Sequence, residues 1–199
     1  MLRALKKLFP AAPHTVLRYS NPWELLVAVV LSAQCTDERV NQVTEKLFKK
    51  YPTLDAYVRA NPRRFEEDIK PTGFYRNKAK NILAAAKKIQ KEYGGKVPAT
   101  MEELLRLPGV ARKTANVILY EAFGKNEGVA VDTHVKRFVK RFGLSDHENA
   151  EKIERDLMCL LPRKEWGPFT MRVIQYGRTY GPARGYNPAR DPLVAVLEK

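Results

Sequence analysis

Apolar residues recur at three- and four-residue spacing along most of the chain, and two-residue alternation is nearly absent, so the pattern predicts an all-α protein. Leu2, Leu5 and Leu8 predict a short first helix, ended by Pro10 and Pro13. Asn21-Pro22-Trp23 opens a helix over 24–33 that is apolar on every side, as expected of a core helix. Thr36 or Asp37 then caps a helix with Val40, Val43, Leu47 and Phe48 inward. Short helices follow over 54–60 and 62–69, the second opened by Asn61-Pro62. A longer helix over 76–93 turns Ala79, Ile82, Leu83, Ala86 and Ile89 inward and ends at Gly94-Gly95. Arg76, Lys78, Lys80, Lys87, Lys88 and Lys91 are expected mostly on its outer face, which reads equally as a phosphate track and as a solvated surface. Beyond residue 132 the spacing predicts a basic helix to Phe142, then helices over 149–161 and 164–180. Residues 181–192 are rich in Gly, Pro, Arg and Asn and read as an ordered loop before a short apolar tail.

Two turns of similar flavour break this run, Pro71-Thr72-Gly73 and Pro108-Gly109, without forming a repeat array. Around the second, Leu104, Leu105 and Leu107 mark a short helix over 102–107. Ala115, Ile118, Leu119 and Ala122 mark another, beginning at Ala111. The first N–H groups of that second helix have no partner within it, and its dipole is positive there. Such an end accepts a phosphate without reading any base. Lys113 lies in this first turn beside Arg112, where partial burial is expected, and a neutral lysine amine is a nucleophile able to form a Schiff base. Nineteen residues later, Val131-Asp132-Thr133-His134 offers a carboxylate to work with it. Taken alone, an ordinary αα-hairpin with a solvated lysine, and an aspartate that merely caps a helix, fit the same residues.

Charge narrows the choice of partner. Lys plus Arg number 36 against 22 Asp plus Glu, a net charge of +14. The excess is concentrated: residues 104–143 hold eight Lys/Arg and three Asp/Glu, the hairpin included. That favours a polyanion, nucleic acid first. Cys35 and Cys159 sit in no Cys-x2-Cys pair, which gives no sign of a zinc site and suits a reducing compartment. Residues 1–10 have no apolar signal core, and the longest uncharged run, 25–36, has twelve residues, too few to span a bilayer. A cytoplasmic location is expected.

Four segments together resemble the endonuclease III family of DNA glycosylases, in the helix–hairpin–helix superfamily. They are Leu31-Ser-Ala-Gln34-Cys-Thr-Asp37, Gly73-Phe74-Tyr75-Arg-Asn-Lys78-Ala79, Leu107-Pro-Gly-Val-Ala-Arg-Lys-Thr-Ala115 and Val131-Asp-Thr-His134. The resemblance covers roughly residues 20–180. It implies two helical lobes, 15–126 carrying the hairpin and 1–14 joined to 127–199, with duplex DNA in the cleft between them. It implies a monomer that flips a damaged nucleotide out of the stack. The family lysine falls on Lys113 and the family aspartate on Asp132, which implies a glycosylase that also cuts the strand by β-elimination, on damaged pyrimidines, with oxidised ones the family's usual substrate class. Relatives that only excise the base lack this lysine.

Further positions follow from the same resemblance. Leu107, Gly109, Ala111, Arg112 and Thr114 fall on the backbone-gripping hairpin, Ala111 replacing a glycine usual in the family. Gln34 falls where the family fills the gap left by the flipped base, and Phe74 where a leucine often wedges into the stack. Alone, Gln34 reads also as a polar helix-end residue and Phe74 as a core aromatic. His134 is expected to be structural or a hydrogen-bonding neighbour of Asp132. The departure lies at the C-terminus: the family's four [4Fe–4S] cysteines fall on Gly181, Pro188, Asp191 and Leu197, none of which supplies a thiolate. No cluster, and no other metal or cofactor, is expected. The loop is then to be held by packing through Tyr186, Pro188, Pro192 and Leu193, with Arg184 and Arg190 near phosphate. The readings left open are a monofunctional uracil, thymine-mismatch or adenine glycosylase, and a non-catalytic helix–hairpin–helix DNA-binding protein.

Overall fold

The structure is a computed structural model that describes residues 1–12 and 14–197; Pro13, expected to help end the first helix, lies outside the described residues. Among the described residues the protein is helical and without strands. Two compact units form, Thr15–Gly124 and Met1–His14 with Lys125–Lys199. Each is held by its own core.

The chain begins with α1 (Leu2–Leu8), which belongs with the C-terminal residues. The first unit starts at α2 (Pro22–Leu31), where the Asn21 side chain accepts from the Glu24 N–H and Pro22 occupies the first turn. Its Leu-Leu-Val-Ala-Val-Val-Leu run is buried from Leu25 to Leu31, so α2 is the central post of this unit. Around it stand α3 (Asp37–Lys50), α4 (Leu54–Val58), α5 (Pro62–Ile69), α6 (Tyr75–Glu92), α7 (Met101–Leu105) and α8 (Arg112–Phe123). Polar caps open most of them: Thr36, Thr53, Asn61 and Thr100 each accept a first-turn N–H. Each such cap is worth about 1 kcal/mol over alanine. Trp23, Tyr57, Tyr51 and Phe65 pack edge-on or tilted with ring centroids 5.1–5.7 Å apart and join α2 to α5.

The second unit is built from α9 (Thr133–Arg141), α10 (Ala150–Leu160), α11 (Trp166–Thr179) and the short α12 (Val194–Leu197). Val135, Phe138, Val139, Ile153, Leu157, Phe169, Val173 and Tyr176 form its core, and α1 adds Leu5. A buried polar knot ties α1 in place. Glu165 takes Lys6 at 2.7 Å and Arg172 at 2.8 Å, and Arg172 also donates to the Phe9 carbonyl at 3.0 Å.

Candidate functional site

The hairpin is α7, a tight turn and α8. Leu107 is buried and its carbonyl accepts from the Val110 N–H at 3.2 Å, which closes the turn. The Leu107 side chain therefore anchors the turn in the core. Gly109 has φ +79°, and a β-carbon there would lie 2.8 Å from that of Asn81 on α6. Both facts demand glycine. Ala111 caps α8 with φ −91°, so its methyl costs nothing in backbone strain, and it offers no side-chain oxygen to the first-turn N–H groups. Arg112 and Thr114 are half-buried; Lys113 is exposed rather than partly buried.

Two other loops of this unit share a rare feature. Among the described residues, Gln34 (φ +53°) and Phe74 (φ +47°) are the non-glycine residues in the left-handed region. Both are exposed, and Phe74 keeps 65% of its surface, so it is not a core aromatic. Gln34 follows the end of α2, and Phe74 caps α6.

Lys78 is the residue that sequence reasoning misplaced. It does not face solvent: it is 5% exposed, and its Nζ donates to the carbonyls of Leu31 and Thr72, each at 2.8 Å. Burial lowers its pKa from the ordinary lysine value, against a smaller opposite effect of Cys35. A signal was present. Lys78 stands four residues before Ile82 and seven before Ala85, on the buried stripe of α6.

In the second unit Asp132 caps α9, its Oδ1 accepting from the Val135 N–H at 2.8 Å. The cap fixes the direction of the carboxylate. The Arg137 guanidinium approaches His134 Nδ1 at 3.1 Å, and the His134 ring lies flush against Gly177, where any side chain would collide with it. His134 thus packs α9 onto α11.

The loop after α11 is held differently from expectation. Pro188 is exposed and Leu193 is buried, but the anchor is polar. Asp191, 2% exposed, accepts from the Tyr176 hydroxyl, from the Tyr186 hydroxyl at 2.6 Å and from the Leu193 N–H at 2.9 Å. Arg141 donates to Tyr176 at 3.1 Å and covers the Tyr186 ring at 3.4 Å. A side chain on Gly181 would strike the Tyr176 ring and the Arg141 guanidinium. Of the four positions matching cluster cysteines, one has no room for a side chain, one is a proline and one has its carboxylate engaged. The donor set does not fit an iron–sulfur cluster, and no cluster of potential metal ligands occurs among the described residues. Arg184 and Arg190 are exposed on this loop. No described helix is long and apolar enough to cross a membrane.

Residues 27–163 match the model of the HhH-GPD superfamily base excision DNA repair protein. Endonuclease III of Synechocystis sp. is 54% identical over 92% of this chain and 84% of its own. That of Bacillus subtilis is 44% identical over 98% of this chain and 90% of its own. Among solved structures, a trapped endonuclease III–DNA covalent intermediate superposes with TM-score 0.92 at 41% identity, covering all of this chain and 95% of that one. The chain belongs to the HhH-GPD superfamily of base excision DNA repair proteins and, within it, to the endonuclease III family.

Proposed function

We propose that Lys113 is the nucleophile and Asp132 the working carboxylate of a DNA N-glycosylase with AP lyase activity, acting on oxidised pyrimidines in duplex DNA. The observation that carries this is the placement of Lys113. It stands exposed in the first turn of α8, after a glycine turn and a cap, Ala111, that makes no side-chain hydrogen bond to the helix. The phosphate held there brings a sugar to the amine. The relative solved as a covalent DNA intermediate supports a lyase rather than a base-excising enzyme alone.

Asp132 stabilises positive charge as the bond from C1′ to the base breaks, and the base leaves with the bonding electrons and takes up a proton. Lys113 Nζ bonds to C1′ and loses its protons, and the sugar ring opens to an imine. Removal of a 2′ proton then expels the 3′ phosphate, which cuts the strand, and water releases the lysine. Gly109, Ala111, Arg112 and Thr114 hold the backbone near Lys113, and Gln34 and Phe74 enter the stack beside the flipped nucleotide. The exposed cations of α6, among them Arg76, Lys80, Lys87 and Lys91, add phosphate attraction.

The enzyme works without an iron–sulfur cluster, its C-terminal loop pinned by Asp191. It acts as a monomer in the cytoplasm, with the DNA. Duplexes carrying an oxidised thymine, uracil opposite guanine, or an abasic site test the reading. Release of the oxidised base with strand cleavage supports it; binding without any cleavage refutes it.

A further inference from the structure

Lys78 is a buried cation whose two partners are backbone carbonyls rather than carboxylates, 47 and 6 residues away in sequence. Taking an ammonium out of water is costly, so its retention calls for a task. The carbonyls it holds show what that task is. Leu31 is the last residue of α2, three before Gln34. Thr72 ends the short turn of helix at Lys70–Thr72, two residues before Phe74. One ammonium therefore clamps the roots of both loops that carry left-handed residues.

Left-handed backbone at a non-glycine residue is strained and persists only where neighbours over-determine it. Other bonds contribute locally: Cys35 N–H donates to Ser32 O at 3.1 Å, Gly73 N–H to Lys70 O at 3.2 Å, and the Thr72 hydroxyl to Ile69 O at 2.8 Å. These close each loop on itself. Lys78 reaches across, bonded to the root of each loop at once. The shared anchor sets the spacing and direction of Gln34 against Phe74.

We infer that Lys78 is a positioning residue for nucleotide extrusion: it holds Gln34 and Phe74 in one fixed geometry so that both enter the DNA stack together. This rests on the reading above that these two residues enter the stack. Lys78 then acts before the bond to the base breaks, and the Schiff-base chemistry at Lys113 does not depend on it. The consequence is a split between two reactions. Excision of an intact damaged base requires extrusion of a paired, stacked nucleotide. Cleavage at a preformed abasic site does not, because no base has to be unstacked.

Lys78→Met keeps the aliphatic stem and removes the donors. Single-turnover excision of an oxidised thymine should fall at least tenfold, while cleavage and borohydride trapping on a preformed abasic duplex stay within threefold. A 2-aminopurine beside the lesion should lose the fluorescence rise that reports unstacking. Combined with Gln34→Ala or Phe74→Ala, the loss should be less than the product of the single effects, because Lys78 acts through those residues. If Lys78→Met does not fold by circular dichroism, Lys78→Arg, which keeps charge but shifts the donors, takes its place with the same split expected. Equal loss of both reactions, or no loss in either, overturns the inference. Unchanged excision in Gln34→Ala and Phe74→Ala would instead refute the underlying reading of those two residues.

Discussion

The hydroxyl of Tyr176 on α11 donates to the buried carboxylate of Asp191, fifteen residues on, at a position where relatives of the family place a cluster cysteine. Tyr186 and the Leu193 N–H complete the pin. Asp191→Ala would leave three donors without their acceptor, at about 1–3 kcal/mol for each that stays buried and dry. We expect urea unfolding to lose about 2–4 kcal/mol, and purified wild-type protein to hold no stoichiometric iron by mass spectrometry. A change below 0.5 kcal/mol (about the effect of a neutral surface substitution) would show that packing, not the pin, holds the loop.

One substitution separates the cap that Asp132 makes from the catalytic role proposed for it. Asparagine caps helices about as well as aspartate, so Asp132→Asn should leave stability within about 0.5 kcal/mol of the parent. The charge is gone, so excision should fall by about 10²–10⁴. Asp132→Ala should lose activity and about 1 kcal/mol of stability together. Thermal melts paired with single-turnover excision measure both. Full activity in Asp132→Asn would leave only the cap.

At the hairpin, Gly109 and Ala111 should respond in opposite ways. Gly109→Ala places a β-carbon against Asn81 at φ +79°, and should cost about 1–2 kcal/mol for the left-handed backbone alone. DNA affinity should fall about tenfold, or 1.4 kcal/mol, as the turn shifts. Ala111→Gly, at φ −91°, should change stability by only a few tenths of a kcal/mol and leave affinity intact. Fluorescence anisotropy on an abasic-site analogue duplex reads both. Equal effects at the two positions would mean that the turn geometry is not what grips the strand.

Acid stability should report on Glu165. Burial works to raise its pKa, but hydrogen bonds from Lys6 and Arg172 outweigh burial and bring it below the ordinary 4.5. The folded value is the lower one, so its stabilisation is present above the unfolded value and is lost as pH falls through 4.5 and below. Glu165→Gln should cost about 3 kcal/mol at neutral pH, since it leaves Arg172 buried without its carboxylate. It should also flatten the acid limb of the stability curve. An acid limb identical to the parent would place the acid sensitivity elsewhere.

Much of the fold was legible because local chemistry agreed with the hydrophobic period. Asn21-Pro22, Thr36, Asn61-Pro62 and Asn149 open helices where expected. The all-apolar run from Leu25 to Leu31 is the core helix that its composition predicts. The hairpin was legible because proline and glycine punctuate it unmistakably. Two features were hidden. Six cations on α6 look like one solvated face, and the carbonyls that make Lys78 the exception belong to other segments and carry no side-chain signature. Asp191 read as a lost cysteine because its partner Tyr176, itself bonded by Arg141, meets it only in the folded chain. In both cases the missing information was a long-range polar contact, which periodicity does not encode.

Borohydride trapping tests the central claim most directly. The protein is incubated with duplexes containing an abasic site or an oxidised thymine, reduced with borohydride and resolved on a denaturing gel. The wild type should give a covalent adduct on both duplexes. Lys113→Ala should give none while binding the abasic duplex within a few-fold of the parent. An adduct that persists in Lys113→Ala, or none in the wild type with binding intact, would contradict the assignment of Lys113 as nucleophile.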